Sequence, residues 1–250
     1  LSIIRLAATE DLEYIKPINT LGEGRLSPTK EYDAEILLDL TGKDILVPNV
    51  DQSPIEAFLF GEDGSFGGQF YVFYVAYRFP MISDYKSGNL VENPRELVDM
   101  LESIFMNMDW PESWYEQWIS LWEEVSLTEC LQYLDLCMTE HSFDFSPGEK
   151  TRQVLRNALS TFSTAQVYNF IWGSARNAAA YYMRENIPKR RAANSVVGGI
   201  QRRADQARAE DWEVKAFGRD HRCPQSMFSK VLFDVVLNFG DDGFNKPPGD

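Results

Sequence analysis

Two histidines and three cysteines limit the chemistry that this chain of 250 residues can perform, so those side chains come first. Cys130, Cys137 and His141 stand at i, i+7 and i+11 of a predicted helix, and so point roughly the same way. Three such ligands could hold zinc if a carboxylate or water completed the tetrahedron. Structural zinc sites, however, pair their ligands at closer spacing and draw them from two elements. Two core cysteines and a helix-end histidine account for the pattern equally well, and no metal is assigned. Asp220-His221-Arg222-Cys223 sets an acid, a base and a thiol within four residues. A thiol nucleophile needs its base within hydrogen-bond reach, which residues two apart in a loop seldom provide. The expectation there is an entry loop to a helix after Pro224, with no catalytic residue. Asp63-Gly64-Ser65-Phe66-Gly67-Gly68 is rich in glycine but lacks the spacing and lysine of a phosphate loop, and reads as a turn. No dinucleotide fingerprint, zinc-protease helix, serine elbow or kinase set is present, so no cofactor is expected and nothing nominates a mechanism.

The sharper signal is charge. Net charge is −14, yet residues 1–150 hold 9 Lys and Arg against 28 Asp and Glu, while residues 151–250 hold 15 against 10. Seven of the basic residues fall between Arg184 and Arg208. Lys189, Arg190, Arg191, Arg202, Arg203 and Arg208 lie off the apolar stripe of one predicted helix and are the candidate binding residues. Two helices joined by a short turn, the second basic, match the layout of helix-turn-helix readers. The same arginines could instead pair with the acidic helices of residues 92–144 or with a partner subunit.

The elements that must position these residues divide into two regions. Residues 1–90 read as a small mixed α/β region. Ile3 and Ala7 bound a short predicted strand, Thr9 a brief helix, and residues 35–40 either a hairpin arm or a helix end. The run Phe70-Tyr71-Val72-Phe73-Tyr74-Val75-Ala76-Tyr77 has the composition of a strand buried on both faces, which something must cover.

From residue 91 the pattern is helical. Asn93-Pro94-Arg95-Glu96 marks one start, and residues 112–125 place Trp114, Trp118, Leu121, Trp122 and Val125 on one helical face. Ser126-Leu127-Thr128-Glu129, Ser146-Pro147-Gly148-Glu149 and Ser163-Thr164-Ala165-Gln166 each fit a capping box. These signals predict acidic helices over 92–145, a basic helical hairpin over 163–211 and a C-terminal helix over 225–239, with a loose tail after it. Gly173 and Gly198-Gly199 inside the hairpin predict closely packed, antiparallel helix backbones.

The fold class expected is therefore α+β, predominantly α-helical: a small mixed sheet region, then a helical bundle. Three cysteines form too sparse a set for a disulfide framework, which points to a reducing compartment and a cytoplasmic location. No apolar run reaches the roughly 20 residues needed to span a bilayer, and residues 1–16 carry five charges, unlike a secretory signal. The leading functional expectation is a non-catalytic module that binds another macromolecule, foremost a protein. The alternatives are nucleic-acid binding through residues 188–208 and an acidic decoy that mimics DNA.

Overall fold

The structure, a computed structural model, describes residues 1–9, 13–80, 82–83, 90–91, 94–106, 110–185 and 187–249. It is α+β and predominantly helical. Two compact units form, one from residues 1–110 with 226–236, the other from residues 111–225 with 237–250.

The first unit begins with helix α1, Ser2–Ala7, not a strand. Ile3, Ile4 and Ala7 are buried, and a 3-4-7 spacing falls on one side of a helix while it would straddle both faces of a strand. Residues 10–12 of the brief helix expected after Thr9 lie outside the described residues. The Thr9 N–H donates to Tyr14 O at 2.9 Å, and Ala8 bridges Ile15 in antiparallel fashion. Helix α2, Lys30–Gly42, resolves residues 35–40 as helix, started by Thr29, whose Oγ1 accepts from the Tyr32 N–H.

The strands are short and pair antiparallel: β1 (Val47–Pro48) with β4 (Tyr77–Arg78), β2 (Phe58–Phe60) with β3 (Phe66–Phe70), and β5 (Ile82–Ser83) with β6 (Leu90–Val91). The aromatic run of residues 70–77 is not one strand. Its ladder reaches the Tyr71 N–H on Ala57 O and stops, because residues 55–57 form a 3₁₀ turn after Pro54 and offer no further partner. The chain turns through Tyr71 and Tyr74, which stay half-exposed, and returns with Val75, Ala76 and Tyr77 in the core. Residues 61–65 form the turn between β2 and β3, with Asp63 Oδ1 accepting from both the N–H and hydroxyl of Ser65.

Helix α3, Pro94–Met106, follows; Asn93 and the side chains of residues 94–96, on which the predicted start rests, lie outside the described residues. The C-terminal helical segment of this unit is shorter than residues 225–239. It comprises α8, Met227–Lys230, capped by Ser226, and a π-helix over Val231–Val236. The wider π turn explains why Val231, Leu232, Phe233 and Val236 are buried where a regular helix would bury Val235.

The second unit is a helical bundle. Helix α4 runs unbroken over Tyr115–Glu140, so Ser126-Leu127-Thr128-Glu129 is no capping box but mid-helix. No Gly or Pro interrupts this stretch, and Val125 and Leu127 are wholly buried, so packing continues the helix through the predicted start. The Thr128 hydroxyl donates back to the carbonyls of Glu124 and Val125 instead of capping.

Helix α5, Glu149–Leu159, has Gly148 as its N-cap with no side-chain bond, which leaves Ser146 outside the first turn. Only the third box forms as such. At the head of α6, Thr164–Glu185, the Gln166 N–H donates to Ser163 Oγ at 3.2 Å and the Ser163 N–H to Gln166 Oε1 at 3.0 Å. Helix α7 spans Lys189–Ala209.

Tyr133 of α4 stacks on Tyr168 of α6 with ring centroids 4.0 Å apart. The tail is not loose. Helix α9, Asp242–Asn245, buries Phe244 against Tyr168, and Gly243 O accepts from the Trp122 indole at 2.9 Å.

Candidate functional site

The groups singled out for nucleophilic or metal chemistry are placed for packing. Cys130, Cys137 and Cys223 are free and buried in the core of the helical unit. Burial pushes the Cys130 thiol far up, that of Cys137 to about 12 and that of Cys223 to about 11, so all three stay protonated near neutrality. Among the described residues no three His, Cys, Asp or Glu side chains gather as a metal site.

In the 220–223 loop, Arg222 holds Asp220 through its N–H, Nε and Nη2 and reaches Glu140 with Nη1 at 2.6 Å. Those hydrogen bonds keep the Asp220 carboxyl far below the usual carboxylate range. His221 is 89% exposed, while Cys223 turns into the core, so base and thiol diverge.

The six basic candidates of α7 separate into three settings. Arg208 is a strut. It donates to Asn157 O of α5 and to Thr161 Oγ1 just past that helix, pairs with Asp205, and lies over the Phe162 ring. Lys189, Arg190 and Arg191 are exposed in the first turn. Arg202 and Arg203 stand near the other end, some 18 Å along the axis at 1.5 Å per residue.

Among the described residues, none of these last five forms an ion pair. Three of the six acids of α4 are held by other arginines: Glu124 by Arg156, Glu129 by Arg219 and Glu140 by Arg222.

Arg202 and Arg203 lie in a cavity of about 590 Å³ between α6 and α7. The helices run antiparallel, Gly173 meeting Arg203 and Gly199 meeting Ser174, and a Cβ added at Gly173 would come within 2.7 Å of Arg203 Cζ. Gly173 and Gly199 thus do allow the close approach that the sequence predicts, with a guanidinium and a serine side chain in the vacated space. Helix α6 also contributes Asn177 and Tyr181, and α7 contributes Ser195 and Gln206. Trp212, half-exposed just past α7, completes the wall. Among the described residues, no carboxylate, imidazole or thiol lines the cavity. Ser174 is only 3% exposed and its Oγ has no hydrogen-bond partner.

Charge alone leads from the sequence to Arg202 and Arg203, and overlooks their neighbours. Ser195, Arg202 and Gln206 do carry a signal, since steps of 7 and 4 place them on one polar helical stripe with Gly199. Ser174, Asn177 and Tyr181 repeat it on α6. No protein-family model, no curated protein and no solved structure matches the chain.

Proposed function

We propose that this protein is a non-catalytic binding module whose principal partner is another protein, engaged through the basic outer face of α7. The observation that carries this reading is the exposed first turn of α7, where Lys189, Arg190 and Arg191 form no ion pair among the described residues, while Glu124, Glu129 and Glu140 of α4 are paired with arginines from elsewhere in the unit. Charge left unpaired on a helix surface is available to a partner of opposite sign, for which it supplies steering and register. An acidic protein segment fits it.

Binding rather than catalysis is supported by the protonated thiols and by a cavity without acid, base or thiol. The free, buried cysteines suit a reducing compartment, so we place the protein in the cytoplasm. No described helix is long and apolar enough to cross a membrane.

Nucleic acid is the second reading, favoured by the same cations, and it requires affinity that falls steeply with salt. The decoy reading is weaker, because three α4 carboxylates are engaged by arginines and do not form a free array.

The discriminating experiment is affinity capture with the full chain, with and without nuclease, using wild type and the triple variant Lys189→Glu, Arg190→Glu, Arg191→Glu. A protein partner survives nuclease and is lost with the triple variant. Loss on nuclease treatment selects nucleic acid, and capture indifferent to the triple variant rejects the α7 face altogether.

A further inference from the structure

We infer that the α6–α7 cavity is a binding site for a small organic anion carrying an aromatic body, with Arg202 and Arg203 taking the anionic group. This ligand differs in kind from the protein partner above, and its site lies at the other end of α7 from Lys189, Arg190 and Arg191.

Three observations converge on it. The volume, about 590 Å³, falls within the range of roughly 300–1,000 Å³ typical of small-molecule pockets. Two guanidinium groups border it without an ion pair among the described residues, and no carboxylate in the wall competes for them. A ligand of negative charge is therefore selected and a cationic one refused. Lastly, the wall combines the aromatic residues Tyr181 and Trp212 with Asn177 and Gln206. That mixture suits a planar ring with polar substituents better than an aliphatic chain.

Arg203 is also pre-positioned. Its guanidinium lies against the bare Cα of Gly173, with Cζ, Nη2 and Nη1 all within 3.0 Å of where a Cβ would stand. Gly173 thus acts as a positioning residue, holding the cation in place without touching the ligand.

The probe is 8-anilino-1-naphthalenesulfonate, an aromatic anion whose emission rises on transfer from water. Wild type takes up one equivalent. Arg202→Ala with Arg203→Ala weakens uptake at least tenfold, and so does Gly173→Ala, which keeps both charges but displaces Arg203. The triple variant Lys189→Glu, Arg190→Glu, Arg191→Glu binds the probe as wild type does, so failure of the protein-partner reading leaves this result untouched. Displacement by adenosine 5′-monophosphate identifies a phosphate head group, and displacement by salicylate a carboxylate, while adenosine displaces at least tenfold more weakly than its phosphate. Uptake indifferent to both the arginine and the glycine variants, or displacement by neither anion, overturns the assignment. Gly173→Ala decides the matter should the double arginine variant fail to fold.

Discussion

Arg219 Nη1 lies 2.7 Å from Oε1 of Glu129, a carboxylate 4% exposed in the middle of a 26-residue helix. The same guanidinium covers the ring of Phe244 at 4.1 Å, so one side chain ties α4, the loop before Pro224 and the C-terminal tail together. A charge buried so deeply is tolerated only while its partner remains.

Arg219→Met should therefore cost about 3 kcal/mol, since it removes the guanidinium that pairs with Glu129 in the core. Adding Glu129→Gln should restore part of that loss, and the double variant should be less destabilised than the two single changes summed. Urea denaturation of the four proteins measures the coupling; strict additivity would mean that the pair contributes nothing.

Two of the three serines that start capping patterns in the sequence should respond differently to alanine. Ser163 caps α6 in a reciprocal pair with Gln166, and Ser163→Ala should lower stability by about 1 kcal/mol. Ser126 is mid-helix, buried, and its Oγ has no partner. Ser126→Ala removes a hydroxyl that was desolvated without return, and should be neutral or stabilising. Equal losses at both sites would contradict the unbroken α4.

These serines also show where sequence legibility ends. The capping pattern is local, and Ser126-Leu127-Thr128-Glu129 satisfies it as well as Ser163-Thr164-Ala165-Gln166 does. What separates them is tertiary: Val125 and Leu127 are in the core and carry the helix through, whereas Thr161 and Phe162 leave α5 and free Ser163 to cap. The α6–α7 hairpin was legible because its apolar stripe, glycines and cap agree at every level. The aromatic run of residues 70–77 was not, because composition reports β-propensity but not whether a partner strand exists beyond Ala57. Phe244 was hidden for a similar reason. A lone aromatic in a stretch rich in Gly, Pro and Asp reads as tail until Tyr168 and Arg219 are seen around it. Of the candidate site, two arginines were visible by charge, while Ser174, Tyr181 and Trp212 depend on which faces of two helices meet.

Gly173→Ala and Gly199→Ala, identical changes on facing helices, should differ in sign. Each gains up to about 1 kcal/mol of helix propensity. At Gly173 the new methyl meets the far end of Arg203, which can swing aside, so stability should hold or rise slightly. At Gly199 it meets Ser174 Cβ and Oγ at 3.0 Å, close to a backbone that cannot swing. Overpacking of about 1–3 kcal/mol should outweigh the propensity gain there. Thermal unfolding of both variants checks this, and a stabilised Gly199→Ala would show that α6 and α7 can part without loss.

Asp33 should give the first unit an unusual pH response. It is buried and accepts from the Ser27 N–H at 2.8 Å; burial dominates and pushes its carboxyl up to about 6, helped by Glu23 and Glu31 and opposed by the Ser27 hydrogen bonds. A carboxyl whose folded value exceeds its unfolded value binds its proton more tightly in the native state, so the native state is favoured at low pH. That contribution is complete below about pH 4 and disappears as pH rises through about 6. Against Asp33→Asn, which keeps an acceptor for Ser27 but cannot ionise, wild type should lose up to about 3 kcal/mol of relative stability across that interval. The difference between the two proteins cancels the titration of every other group, including Asp220, whose lowered value works in the opposite direction. Parallel stability profiles from pH 4 to 7 would mean that Asp33 is solvated in the folded chain.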